Sequence, residues 1–226
     1  MDFIREVAVL LEKEILLEKK QKTVVGLGMF FAFLLVFVFS IIFMDTSVDL
    51  RLVSGLLWIA VTFTVILVVN RSLYVDQENN CIEALFMSPI SKHAVFWGKC
   101  LAIFIMLAVL QFFMAIVFIV FFQVILQANA LGKLIFTQLL GTFAMSNITI
   151  LVAMMISKIK GGEILLPVIL LPLLIPLIIS LVETTSLILG GNGNEGQLGQ
   201  WMRLIVFYSA AVIIVPSLFL DNITNE

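Results

Sequence analysis

Six apolar runs, each long enough to cross a bilayer and joined by short connections, limit this chain to one class of fold. They lie at roughly 24–43, 52–70, 101–126, 134–157, 164–183 and 201–220, and about 20 mostly apolar residues are needed to cross ~30 Å of hydrocarbon. The rest of the 226-residue composition agrees: 62% hydrophobic and 12% charged, against about 45–50% and about 25% in globular domains. The expected fold is therefore an all-α membrane protein. It has six transmembrane helices in a single domain over 24–220, an N-terminal amphipathic interfacial helix over 1–23, and a short tail over 221–226. The net charge of −2 sums over loops facing different compartments and does not point to a nucleic-acid partner.

The positions of the charges set an orientation. Arg5, Lys13, Lys19, Lys20 and Lys22 precede the first span, Arg71, Lys92 and Lys99 lie between the second and third, and Lys158 and Lys160 between the fourth and fifth. Only Arg51, Lys133 and Arg203 fall on the other side. Positive residues concentrate on the cytoplasmic side of membrane proteins, so both termini are expected there. The first apolar run is too long for a secretory h-region and follows an acidic segment, so it is read as a retained span. Cys81 and Cys100 then face a reducing compartment, which argues against a disulfide.

Residues 3–20 read as an amphipathic helix. Charges recur at 5/6, 12/13 and 19/20, while Phe3, Ile4, Val7, Leu10, Leu11 and Ile15 fill the intervening face. Such a helix lies in the headgroup plane with its apolar face down. It serves either as a plain anchor or as an elbow that feeds the first span and braces a cytoplasmic partner.

The stretch 71–100 is long for a connection and has internal punctuation. Asn79 and Asn80 tolerate a bend. Acidic and apolar residues interleave from Glu78 to Met87, a short helix is expected over Cys81–Met87 after the bend, and Pro89 stops it because proline lacks an N–H and disfavours helix before it. Ser91 is placed to cap the next helix, which carries Trp97 and Lys99 into the third span. A helix, a break and a capped span make a handle for a soluble partner, with Glu78, Glu83, Leu85, Phe86, Met87, Ser88, Pro89 and Ser91 as its candidate coupling residues.

Gly161 and Gly162 allow a tight reversal between the fourth and fifth spans. The fifth span contains Pro167, Pro172 and Pro176, each of which removes a helical hydrogen bond. They read either as kinks that suit the way the helix packs or, with the glycine pair, as a deformable gate. Residues 183–200, rich in Gly, Asn and Thr, read as an outer-face loop, with 184–189 open to a short re-entrant helix.

Several chemistries are missing from the chain. No ionisable residue lies deep in the six expected spans, whereas ion-coupled carriers use such groups. Asn70, Gln111, Gln123, Gln138 and Asn147 are the polar residues there, and they read as hydrogen-bond glue between helices. The sequence has no G-x-x-x-x-G-K-[ST] phosphate loop, so ATP would have to be bound by a separate subunit. The single histidine, His93, has no nucleophile or metal-ligand cluster around it and reads as a solvated loop residue. Neither an enzyme activity nor a bound metal or cofactor is expected of this chain.

Glu78, Ile82-Glu83, Leu85 and Ser88-Pro89-Ile90-Ser91, followed by Trp97-Gly98-Lys99, resemble the cytoplasmic coupling segment of ABC-2 type exporter permeases. Together with the run Lys-Gly-Gly-Glu-Ile-Leu-Leu-Pro-Val-Ile-Leu-Leu-Pro-Leu-Leu-Ile-Pro at 160–176, the chain more narrowly resembles the haem exporter protein B (CcmB) family. Related permeases often have glycine where this chain has Asn79-Asn80. The resemblance implies an ABC-2 type permease architecture in the bacterial inner membrane, working as a pair of copies with an ABC ATPase subunit that binds ATP. It also implies work in cytochrome c maturation beside a haem-handling membrane protein and a periplasmic haem chaperone, with haem handled by the complex. The outer side of this chain offers no histidine or Trp-rich loop to ligate haem iron. The alternatives are a generic ABC-2 exporter of a lipid, glycan or drug and, in another class, an ion-coupled carrier.

Overall fold

The computed structural model describes residues 3–21, 23–43, 49–78, 91–122, 128–156, 159, 162–191 and 195–222. These residues form seven α-helices, which run α1 Phe3–Gln21, α2 Thr23–Ile42, α3 Leu50–Glu78, α4 Lys92–Phe122, α5 Ala128–Ile156, α6 Gly162–Gly190 and α7 Glu195–Asn222. All but α1 are long and apolar enough to span a membrane, and the protein is a multi-pass membrane protein of all-α fold. The spans are helical because hydrocarbon offers no partner for a free peptide group.

Helices α3 and α5 sit at the centre and are largely buried, while α2 and α7 expose most of their surface. Helix α6 lies against α3, α5 and α7, and α2 and α4 lie against each other and α3. The main core gathers Trp58, Val65, Phe96, Leu110, Met114, Met145 and the α6 ridge Leu166, Leu170, Leu174, Leu177 and Leu181. Exposed side chains such as Phe30, Phe112, Val168 and Phe207 form the apolar outer surface that a bilayer requires.

One expected boundary is corrected. Residues 183–200, read as an outer loop, are mostly helical: α6 continues to Gly190 and α7 begins at Glu195. The residues that looked like loop are satisfied inside the helix. The Thr184 hydroxyl donates to the Ser180 carbonyl at 2.7 Å and that of Ser186 to the Glu183 carbonyl at 2.9 Å. Trp58 Nε1–H donates to Thr185 Oγ1 at 2.9 Å, and Glu183 is ion-paired with Arg51 at the start of α3. Residues 184–189 thus extend α6 and make no separate re-entrant helix. Gly191, at φ 64°, takes the left-handed conformation that commonly ends a helix.

The polar residues in the spans are used partly as expected. Thr142 on α5 donates to Gln111 Oε1 on α4, an interhelical bond, whereas Asn147 Nδ2 donates to Phe143 O within its own helix. Gln123 lies outside the described residues.

Candidate functional site

Of the candidate coupling residues, Glu83, Leu85, Phe86, Met87, Ser88 and Pro89 lie outside the described residues, as does Cys81. Glu78 is the last residue of α3, so the helix of the second span, whose apolar part ends at Ser72, runs on through residues 71–78 of the stretch read as a connection. Ser91 stands at the other edge and caps α4 as its sequence predicts. Its Oγ accepts the Ala94 N–H at 3.3 Å and its carbonyl accepts the Val95 N–H at 3.1 Å. His93 falls in the first turn of α4, half-buried, and not in a loop; the serine cap starts the helix before it.

Helix α1 lies on the first turns of α4. Leu10 and Val7 meet Ala94 and Val95 in a small buried cluster, so part of the apolar face expected to point at lipid is turned onto protein. Phe3, Ile4, Val9 and Leu16 stay exposed. The helices approach at Gly98, where an added Cβ would stand 2.7 Å from Leu10 Cβ. Polar bonds flank this contact. Glu6 Oε2 accepts both the Ser91 N–H at 3.1 Å and its hydroxyl at 2.9 Å, and Lys99 Nζ donates to Glu14 Oε1 at 3.3 Å. The Lys99 and Glu14 side chains are only 10% and 12% exposed, which shields the pair from screening by water and salt.

Glu6, Glu14, Gly98 and Lys99 were not singled out by the sequence as site residues. The Trp-Gly-Lys motif was the available signal. Its glycine provides the close approach and its lysine the ion pair. Replacing Gly98 with valine is expected to force α1 off α4, an overpacking loss of about 1–3 kcal/mol. Faster proteolysis near residues 20–24, with the spans intact, is the measurement that checks it.

Among the described residues, two backbone bonds and one close approach lie between α5 and α6. Ile159 N–H donates to Ile156 O at 2.9 Å, Gly162 N–H to Ile159 O at 3.0 Å, and a Cβ at Gly162 would lie 2.5 Å from Ile156 O. Gly161 lies outside the described residues. Pro167, Pro172 and Pro176 all lie inside α6, which continues through them. Pro172 and Pro176 point away from the Leu166–Leu170–Leu174 ridge and are exposed, whereas Pro167 is half-buried. Tyr208 of α7 donates to the Leu173 carbonyl at 2.5 Å, a bond that ties α7 to α6 between the two exposed prolines.

Comparison with known proteins places these features in a family. The family model described as CcmB protein matches residues 5–221. The chain belongs to the CcmB family. Heme exporter protein B of Rhodobacter capsulatus is 31% identical to it over 200 residues, which cover 84% of this chain and 91% of that protein. The match takes in α1 of this CcmB-family protein from Arg5 onward as well as the six spans.

Proposed function

We infer that this chain is the permease subunit of an ABC exporter serving cytochrome c maturation, coupling ATP hydrolysis in a separate subunit to haem delivery or to release of a haem-loaded periplasmic chaperone. The observation that carries the reading is the kinship with heme exporter protein B along 84% of the chain. The absence of a phosphate loop from the sequence supports reading the chain as a non-catalytic transmembrane subunit whose partner binds ATP.

In this reading the protein sits in the bacterial inner membrane with both termini cytoplasmic, paired with a second copy and with ATPase subunits. Its outer side meets a haem-handling membrane protein and the chaperone. Residues 78–91 form the handle that the ATPase holds. The handle joins α4 at Ser91, where helix capping makes the junction stiff, and its displacement tilts the third span relative to the proline-bearing α6. The glycine reversal at 161–162 lets α6 respond.

Deletion of the chain is expected to abolish haem-stained c-type cytochromes while leaving b-type cytochromes in place, and a tagged copy is expected to copurify with an ATPase. A deletion strain with normal c-type cytochromes would remove the haem reading and leave a generic exporter.

A further inference from the structure

Helix α4 lacks half of its own cap. In a capping box the serine at the N-cap is answered three residues later by Glu or Gln, which takes the serine's backbone N–H. Here that position is Ala94, fully buried under α1. The carboxylate comes instead from another helix: Glu6 Oε2 accepts the Ser91 N–H at 3.1 Å and its hydroxyl at 2.9 Å. Its negative charge also suits the positive end of the α4 dipole.

The same side of α1 continues this way at four-residue spacing. Leu10 lies over Gly98, and Glu14 holds Lys99 at 3.3 Å. Glu18 then turns to a different helix, its Oε1 accepting the Val25 N–H in the first turn of α2 at 2.8 Å. Helix α2 leans back on α4 lower down, where a Cβ at Gly28 would lie 2.9 Å from Leu110 Cδ1. Helices α1, α2 and α4 therefore close a triangle, with two of its corners made by carboxylates of α1.

We propose that α1 is a yoke that binds the first and third spans into one moving unit, with Glu6, Glu14 and Glu18 as its positioning residues. A shift of the coupling segment then carries α2 along with α4. An anchor helix would hold the chain at the membrane surface and would transmit nothing. The proposal rests on the reading of residues 78–91 as the contact for an ATPase.

Glu18 separates the two roles, because the Val25 N–H that it accepts belongs to α2. The experiment measures ATP hydrolysis and holo-cytochrome c output in membranes holding the intact complex, with permease amounts equalised, for Glu18→Ala, Glu14→Lys, Lys99→Glu and the Glu14→Lys/Lys99→Glu double variant. The yoke predicts that cytochrome output per ATP falls at least about fivefold in each single variant, the low end of coupling between sites, and recovers in the double variant. A purely structural role lowers both quantities together and leaves their ratio unchanged. An unchanged ratio in Glu18→Ala, or a double variant no better than its parents, overturns the yoke. Cytochrome output in the parent membranes that does not depend on the chain overturns the functional reading, and is seen before any variant is compared.

Discussion

Replacing Trp58 with alanine is expected to lower the thermal midpoint of the detergent-solubilised protein by roughly 6–12 °C, taking a loss of about 3 kcal/mol and ~2–4 °C per kcal/mol for a chain of this size. Trp58 is fully buried where α3, α5 and α6 meet, and Gly141 on α5 admits it so closely that a Cβ there would lie 2.9 Å from the indole Cη2. Lipid is as apolar as the core, so little of the loss is transfer free energy. It is dispersion across the vacated volume, together with the bond from Nε1–H to Thr185 Oγ1 at 2.9 Å. Trp58→Phe keeps most of the ring and forfeits the bond, for which about 0.6 kcal/mol is typical inside a membrane protein. Far-UV circular dichroism melts of the two variants check this. A Trp58→Ala protein melting within about 2 °C of the parent would show that the three helices do not depend on this side chain.

Trp58 also shows how much of the fold the sequence disclosed and where it stopped. The spans were legible because hydrocarbon thickness sets a length of apolar residues that hydropathy reads directly. Residues 183–190 misled because Glu, Thr and Ser lower local hydropathy, and what keeps them helical is non-local. The Arg51–Glu183 pair and the Trp58–Thr185 bond each join residues more than a hundred positions apart.

The candidate site divides in the same way. Ser91 was legible as a cap, since capping is a short-range rule and Pro89 two residues earlier is a sequence signal for a stop. Glu6 was not, because the capping-box pattern looks three residues ahead and finds Ala94, while the carboxylate stands 85 positions earlier. Glu14 is the same distance from Lys99. Glu6 read as part of the charged stripe of a surface helix, and only the docking of α1 on α4 makes it and Glu14 bonding partners of that helix, while Glu18 bonds the first turn of α2. Gly98 was visible within a motif, but its reason is a contact with Leu10 that no local pattern encodes.

Charge reversal at Glu83 is expected to cut holo-cytochrome c by about tenfold or more while ATP hydrolysis and membrane insertion persist. From Glu78 to Met87 the acidic Glu78 and Glu83 are interleaved with apolar residues such as Ile82, Leu85, Phe86 and Met87, a pattern suited to an apolar contact edged by charge. A rim of that kind sets partner choice and register, and placing like charges face to face costs several kcal/mol. Every 1.4 kcal/mol is tenfold in an equilibrium, so even part of that penalty would displace the handle from its socket. Glu83→Lys should therefore separate the two activities: the ATPase keeps its nucleotide site, and the permease keeps its spans, but the push no longer arrives at Ser91. Glu83→Gln removes attraction without adding repulsion and should give an intermediate loss. Ser91→Ala acts on the far side of the same junction, loosening the α4 cap by ~0.5–2 kcal/mol and removing one of its two bonds to Glu6, so its defect should resemble that of Glu83→Lys in kind and be smaller in size. Haem-stained gels and phosphate release on the same membranes measure both quantities. Full cytochrome output in Glu83→Lys would place the ATPase contact elsewhere on the chain, and equal loss of cytochrome and ATPase activity would mean that the variant disrupts assembly and leaves the transmission of force intact.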